Sequence, residues 1–580
     1  MSFFVMMKKA YRDMPSSSLN MTFRSYFWII MMVSLLSIAF LLTINLLFPE
    51  FYQDWLLSAI LIITPLYIII VLLLYPVVLY QRRGIEIDND MHLFITRIGV
   101  LALADAPAKT VFNLLEKMKE YRQLAGEVKK IYILTDKWHI PLERACRTVA
   151  RLTPSEVFAN FLLRLAHATE VGESVEDFFI KEQSIILNEY SARYENSLMG
   201  LKYIEEIFTA TMTSMAFGVV LVELLLMLTG QSSSSLIAFM FILFVLVEVF
   251  IAYVVKSMIP GEVIWHTMEQ KTEVKKKLNR LLVLTVTGSI LLFIIASGRP
   301  FFQTIGEFLN WKGMISFSKI FVEIPPALAV AIGSTPLLYV GIYTTIEEGK
   351  ILNRDLHFPS FLRSLGISSE AKGREALSAL DRLRRHDFGE LSENIDSLYK
   401  RLKIRINKVR AWILFGADTG SELISKFAEM YIEGTRLGGS SKKIGVMVSD
   451  NFTRITDLRV KKFESASTFT VVLYGLLISI TIVLYLTLAV VNSFYTLYQG
   501  IEIPPGYEFI SLFSPSSLDV GFIEIFVLGI CIFHAFLSSL LIKIITGGHK
   551  AGALLHFSIM CWIIAGLSAG VMKLVSGILD

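Results

Sequence analysis

Cysteine is scarce in this chain. Cys146, Cys531 and Cys561 are too few and too far apart for a disulfide framework or a thiolate metal site. The nine histidines are dispersed, and no H-E-x-x-H pair occurs, so metal ligation has no support. A phosphate-cradling G-x-x-x-x-G-K-[ST] loop is also missing. Its nearest approach, Gly341 with Gly349-Lys350, has the wrong spacing and no following Ser or Thr. No paired C-x-x-C is present. These absences argue against a self-contained NTPase and a zinc hydrolase. No catalytic residue and no cofactor is expected, and a formal net charge of +4 gives no reason to expect nucleic acid. Energy for any work must come from a partner.

What is abundant is apolar sequence: hydrophobic residues make up 54% of the chain and mean hydropathy is +0.58. A bilayer crossing takes about 20 apolar residues. Nine blocks qualify: 26–48, 56–80, 205–229, 236–255, 281–297, 326–346, 468–497, 522–542 and 551–575. The first is too long for a signal-peptide core and reads as a retained helix. Lys8, Lys9, Arg12 and Arg24 place the N-terminus in the cytoplasm, while Glu50 and Asp54 mark the next connection as external. The 256–280 loop is basic and internal, the 498–521 connection is acidic and external, and the C-terminus falls outside. The reading is an all-α polytopic plasma-membrane protein.

Two polar inserts therefore face the cytoplasm, giving segments 1–80, 81–204, 205–346, 347–467 and 468–580. Both inserts read as helical. Val111, Leu114, Leu115 and Met118 form one buried helix face. Thr153-Pro-Ser-Glu156 and Thr419-Gly-Ser-Glu422 are capping boxes that open helices. Gly172 ends the first of these helices and Ser174 caps a long helix toward the membrane; Gly434 and Gly438 break the second. The turn Gly172-Glu173-Ser174 lies 266 residues before Gly438-Gly439-Ser440, and the same shift carries Arg193 to Arg459 and Arg97 to Arg363. It also carries several apolar blocks onto one another, so a parallel internal duplication is expected.

Three constellations compete with plainer explanations. Glu223 and Glu248 lie deep in apolar blocks, where an acid is costly and a functional role is the default hypothesis; helix packing explains them more simply. Lys400, Arg401, Lys403, Arg405, Lys408 and Arg410, with Lys275, Lys276 and Lys277 of the 256–280 loop, could dock an acidic protein surface. Anionic membrane lipids account for basic residues equally well. The glycine turns read locally as ordinary helix ends.

Paired cytoplasmic helical domains with Gly172-Glu173-Ser174 and Gly438-Gly439-Ser440 turns, separated by membrane helices, resemble the type II secretion F-domain family. The long form resembles the archaeal platform proteins of archaella and type IV pili. That resemblance implies a membrane base, homodimeric, on which a cytoplasmic hexameric secretion ATPase docks and moves pilin-like or archaellin subunits into a filament. The second turn carries Gly439 where the first has Glu173, so a role needing that acid twice is not implied. The rival reading is a secondary transporter, since internal repeats mark those folds too, or another polytopic scaffold.

Overall fold

The computed structural model describes residues 3–13, 24–35, 55–229, 234–261, 263–268, 273–298, 324–371, 376–499 and 520–579. Among them the secondary structure is helical throughout, apart from one isolated bridge between Trp265 and Ser421. The expected all-α architecture is what the chain adopts. Seven helices are long and apolar enough to cross a membrane, and they match the last seven expected blocks. Most of block 26–48 lies outside the described residues, which begin it as a helix from Arg24 to Leu35. Block 56–80 is helical, but its side chains through residue 68 lie outside them; so do most of the connections 298–325 and 498–521.

Two compact units divide the chain, the first holding residues 1–190 with 437–439 and the second holding the rest. In the first, α1 (Phe3–Asp13) and α2 (Arg24–Leu35) precede α3 (Trp55–Ala102), followed by α4 (Ala108–Glu116), α5 (Arg122–Tyr132), α6 (Leu142–Leu152), α7 (Glu156–Glu170) and the start of α8 (Val175–Thr229). Ala10 packs on Val77 and Tyr80, and the Tyr11 hydroxyl donates to the Leu73 carbonyl at 2.8 Å, which fastens α1 along α3. The core of this unit is aromatic. Phe94 meets Tyr121, Phe158 and Phe161 edge-on, and Phe161 stacks on Phe179. Arg97 is fully buried beside it, paired with Glu120 and lying 5.6 Å over the Tyr121 ring.

The second unit continues α8 and adds α9 (Ser234–Met258), α10 (Glu273–Ala296) and α11 (Pro326–Ala371). Then come α12 (Ala376–Leu383), α13 (Ser392–Lys403), α14 (Lys408–Thr419), α15 (Glu422–Arg436), α16 (Ser441–Gln499), α17 (Val520–Thr546) and α18 (Ala553–Leu579). Its membrane core joins Phe208, Phe244, Phe469, Leu484, Cys531 and Met560. A second aromatic core, Phe358, Phe361, Phe415, Phe427 and Phe452, holds the polar domain together.

The segment boundaries at 80/81, 204/205, 346/347 and 467/468 all fall inside continuous helices. At 1.5 Å per residue the 55 residues of α8 and the 59 of α16 span about 80–90 Å, against about 30 Å of hydrocarbon. More than half of each helix therefore projects beyond the lipid as a stiff extension. Where α8 and α16 meet, Lys461 bonds Glu195 at 2.5 Å and the rings of Phe208 and Phe469 lie 6.2 Å apart.

The helix ends correct the capping assignments. Ser155, not Thr153, caps α7, accepting from the Phe158 amide at 2.9 Å, and Ser421, not Thr419, caps α15, accepting from the Ile424 amide at 3.1 Å. Thr419 still belongs to α14, its hydroxyl turned back on the Gly416 carbonyl. Gly434 does not break α15; it is buried inside it. Gly172 (φ 81°) and Gly438 (φ 102°) do occupy the left-handed region expected of helix-ending glycines. Ser174 and Ser440 then cap α8 and α16, accepting from the amides three residues on at 3.1 and 3.3 Å.

Close packing of α11 on α18 rests on Gly341. A Cβ there would lie 2.5 Å from the backbone nitrogen of Leu555, and backbone cannot swing aside as a side chain can. Gly341→Ala is expected to destabilise the membrane bundle by about 1–3 kcal/mol, read as a lowered thermal midpoint in detergent.

Candidate coupling site between the second polar domain and the membrane helices

Glu348 sits on α11 where the membrane portion of that helix gives way to the polar domain, and it is 6% exposed. Its carboxylate accepts from Trp265 Nε1 at 3.1 Å, from the His549 amide at 2.6 Å, and from Lys543 Nζ. Trp265 comes from the α9–α10 connection, Lys543 from the last turn of α17, and His549 from the turn before α18. One buried acid thus ties four chain segments. Gly548 approaches so closely that a Cβ would fall 2.3 Å from Glu348 Oε1, and its φ of 83° also calls for glycine. Burying a carboxylate is costly unless it is paired and hydrogen-bonded, and here both conditions are met.

The same connection is pinned to the polar domain a few ångströms away. The His266 amide donates to the Gly420 carbonyl at 3.0 Å and the Glu422 amide to the Ile264 carbonyl at 3.0 Å. The Glu422 side chain returns the contact, accepting from the Thr267 amide at 2.8 Å. Ser421, which caps α15, donates to Asp355 of α11, and Asp355 also accepts from Arg459 of α16 at 2.9 Å. Ile264, Trp265 and Ile351 close the site with apolar cover. The arrangement makes the start of α15, the middle of α11 and the membrane ends of α9, α10 and α17 one hydrogen-bonded block. What the arrangement provides is a bonded connection between the polar domain and the membrane helices.

In the first unit, Asp88 of α3 accepts from Ser155 at the start of α7, much as Asp355 of α11 does from Ser421. There Arg164 of α7 bonds Glu182 of α8 at 2.6 Å. Burial pushes the Glu182 carboxyl up despite that arginine, whose bond and charge act in the opposite direction.

Burial holds His266 and His549 below the usual histidine value of 6.5. For His266 the Lys275 charge adds to that and Glu422 opposes it; for His549 the Glu348 carboxylate opposes, while Lys275, Lys543 and Lys550 add. A folded-state value depressed below the unfolded one gives stability that is present above pH 6.5 and lost as pH falls through the folded value. Amide exchange across residues 259–268, corrected for intrinsic rate, is therefore expected to accelerate on mild acidification. A double His266→Gln, His549→Gln chain should flatten the response.

Within the membrane core, Glu248 of α9 is paired with His534 of α17, both fully buried. Phe208 stacks on the imidazole at 6.3 Å and Phe244 meets it edge-on at 6.4 Å. Glu223 is also buried, and neither of its carboxyl oxygens has a hydrogen-bond partner among the described residues. Glu223 and Glu248 do not converge with other acids, histidines or cysteines into a metal-binding group among the described residues.

The basic run is partly spent internally. Lys400 pairs with Asp396 at 2.6 Å, Arg401 with Asp418, and Lys403 lies 5.9 Å over the Tyr399 ring. Arg405, Lys408 and Arg410 are exposed and form no ion pair among the described residues. Of the loop lysines, Lys275 turns inward to the His266 carbonyl at 3.4 Å and Lys277 sits 5.1 Å over Tyr343, leaving Lys276 facing out. Glu173 bonds Lys181 at 2.7 Å, a local brace at the start of α8 that Gly439 cannot reproduce. Sequence reasoning missed Glu348, Trp265, Asp355 and His534. Only His534, a lone histidine in a strongly apolar block, carried a local signal.

Residues 94–223 match the family described as Type II secretion system (T2SS), protein F. The chain is 35% identical over 515 residues to a flagella accessory protein J of Methanocaldococcus jannaschii, covering 89% of each chain. It is 34% identical over 491 residues to a protein of the same name from Methanococcus voltae, covering 84% of this chain and 85% of that one. No solved structure matches. Identity at that level, sustained along most of both chains and joined to an all-helical multi-pass architecture, is common descent: the chain belongs to the flagella accessory protein J family.

Proposed function

We propose that this chain is the membrane platform of an archaellum or type IV pilus-like filament machine. A cytoplasmic secretion ATPase docks on its polar helical domains, and the motion it imposes is carried through stiff helices to pilin-like subunits in the membrane. The observation that carries this reading is the Glu348 block, which bonds the base of the second polar domain to the ends of the membrane helices. Chain similarity to flagella accessory protein J supports the archaellum assignment.

On this reading the polar domains are cytoplasmic, with the N-terminus inside and the C-terminus outside. The chain is one unit used twice in parallel. Supporting the duplication, α7 and α15 both have 15 residues and start 266 apart, and the starts of the longer α8 and α16 are also 266 apart. Two copies of the chain form the platform, in contact with anionic lipid. Docking falls to Arg405, Lys408, Arg410 and Lys276, the candidate cations that form no ion pair or ring contact among the described residues. A transporter reading draws on Glu223 alone, since Glu248 is already paired.

The test is binding of the secretion ATPase to the full-length chain in lipid nanodiscs, with salt dependence. Saturable, salt-sensitive binding is expected; no binding at low salt overturns the platform reading.

A further inference from the structure

Two positions outside the coupling site share an unusual geometry. Trp138 is 70% exposed and Ile404 is 72% exposed, and each is the most exposed large apolar residue described in its polar segment. They stand 266 residues apart, the spacing of the two glycine turns. Each is followed by a side-chain-bearing residue in the left-handed region, His139 at φ 52° and Arg405 at φ 58°. Each is preceded by a lysine, so the tips read Lys137-Trp138-His139 and Lys403-Ile404-Arg405.

Neither tip is a loose loop. In the first unit Trp138 leaves a five-residue π-helix, its amide bonded to the Ile133 carbonyl at 3.2 Å, and the Ile140 amide returns to the Leu134 carbonyl at 3.0 Å. In the second unit the Ile404 amide bonds the Lys400 carbonyl at 3.1 Å and the Ile406 amide returns to Arg401 at 3.1 Å. The next helices start from residues of like conformation, Pro141 (φ −53°, ψ 143°) and Asn407 (φ −46°, ψ 126°). A left-handed conformation is unfavourable for a residue with a Cβ, and it persists where surrounding bonds impose it. Here it lifts one large apolar side chain clear of its domain, twice.

We infer that Trp138 and Ile404 are docking anchors, each inserted into an apolar pocket rimmed by carboxylates on the docked ATPase. The inference rests on the platform reading and names the contact through which docking occurs. Charge decides the rim: Lys137 flanks one anchor, where the neighbouring Asp136 is already paired with Lys109, while Arg405 and Lys408 flank the other. Chemistry decides the pocket. Exposed single anchors of this kind give most of an interface's binding energy when desolvated, and tryptophan leads among them. A lipid surface is the poorer fit, because amphipathic membrane binding uses an extended apolar face rather than one side chain per domain. Beside Ile404, a cavity of about 1110 Å³ is lined by Arg405, Lys408 and Arg436, and its one acid among the described residues, Asp381, is paired with Arg384 and Arg385, so the partner's acidic rim has a place to settle.

The experiment compares the unaltered full-length chain with Trp138→Ala, Ile404→Ala and the double variant in nanodiscs, measuring ATPase Kd. Each single change is expected to weaken binding by roughly 30-fold, with the thermal midpoint unchanged because both side chains are exposed. Binding by the unaltered chain together with wild-type affinity in the double variant overturns this inference and leaves the platform reading standing. No binding by any chain overturns both. A fluorophore placed on Trp138→Cys separates the lipid alternative, since Cys146, Cys531 and Cys561 are buried. Quenching by brominated lipid without the ATPase overturns the inference; quenching only by the bound ATPase supports it.

Discussion

Glu348→Ala is expected to destabilise the coupling block by about 3–5 kcal/mol, the range for removing one partner of a buried ion pair. The loss is not one bond. Lys543 is left 12% exposed without its counter-charge, Trp265 Nε1 loses its acceptor, and the His549 amide is orphaned. Glu348→Gln separates these effects, because an amide oxygen can still accept from Trp265 or His549 while the charge is gone. It is expected to recover part of the loss. Lys543→Met in the Glu348→Gln background should recover more, since the second charge no longer lacks a partner. Thermal unfolding in a defined detergent reads all three. Similar midpoints for the alanine variant and the unaltered chain would contradict the assignment.

Glu248→Leu is expected to cost at least about 2–3 kcal/mol by leaving His534 Nδ1 without a partner inside the bundle. Phe208 and Phe244 present ring carbon to the imidazole. The conservative Glu248→Gln keeps an acceptor at the same place. This change is therefore expected to cost less than leucine. Pairing Glu248→Leu with His534→Leu is expected to restore much of the stability, because two apolar side chains need no partners. A double variant weaker than the sum of the singles would sink this account of the pair.

Much of the fold is legible because long apolar runs and capping residues act locally. Gly172 and Ser174 announce a helix end and a new helix start within a few residues, and both do so in the structure. The choice between Thr153 and Ser155, or Thr419 and Ser421, is not local. Either residue satisfies the pattern, and Asp88 or Asp355, some 66 residues earlier in sequence, selects the serine. Glu347 and Glu348 are neighbours of identical chemistry. One pairs with Lys350 at 3.1 Å on the helix surface, and the other organises the coupling site, because helical rotation turns it toward Trp265 and Lys543. Lys400 and Arg401 looked available in sequence, but Asp396 and Asp418 occupy them. What decides each case is tertiary proximity, which a single sequence does not display.

The central claim is that the second polar domain drives the membrane helices through the Glu348 block. Its most direct test is filament assembly in cells carrying Glu348→Ala, with membrane insertion and ATPase binding measured alongside. The account predicts a chain that inserts and binds the ATPase as the unaltered one does yet builds few or no filaments. Filaments of normal number and length from that chain would contradict it.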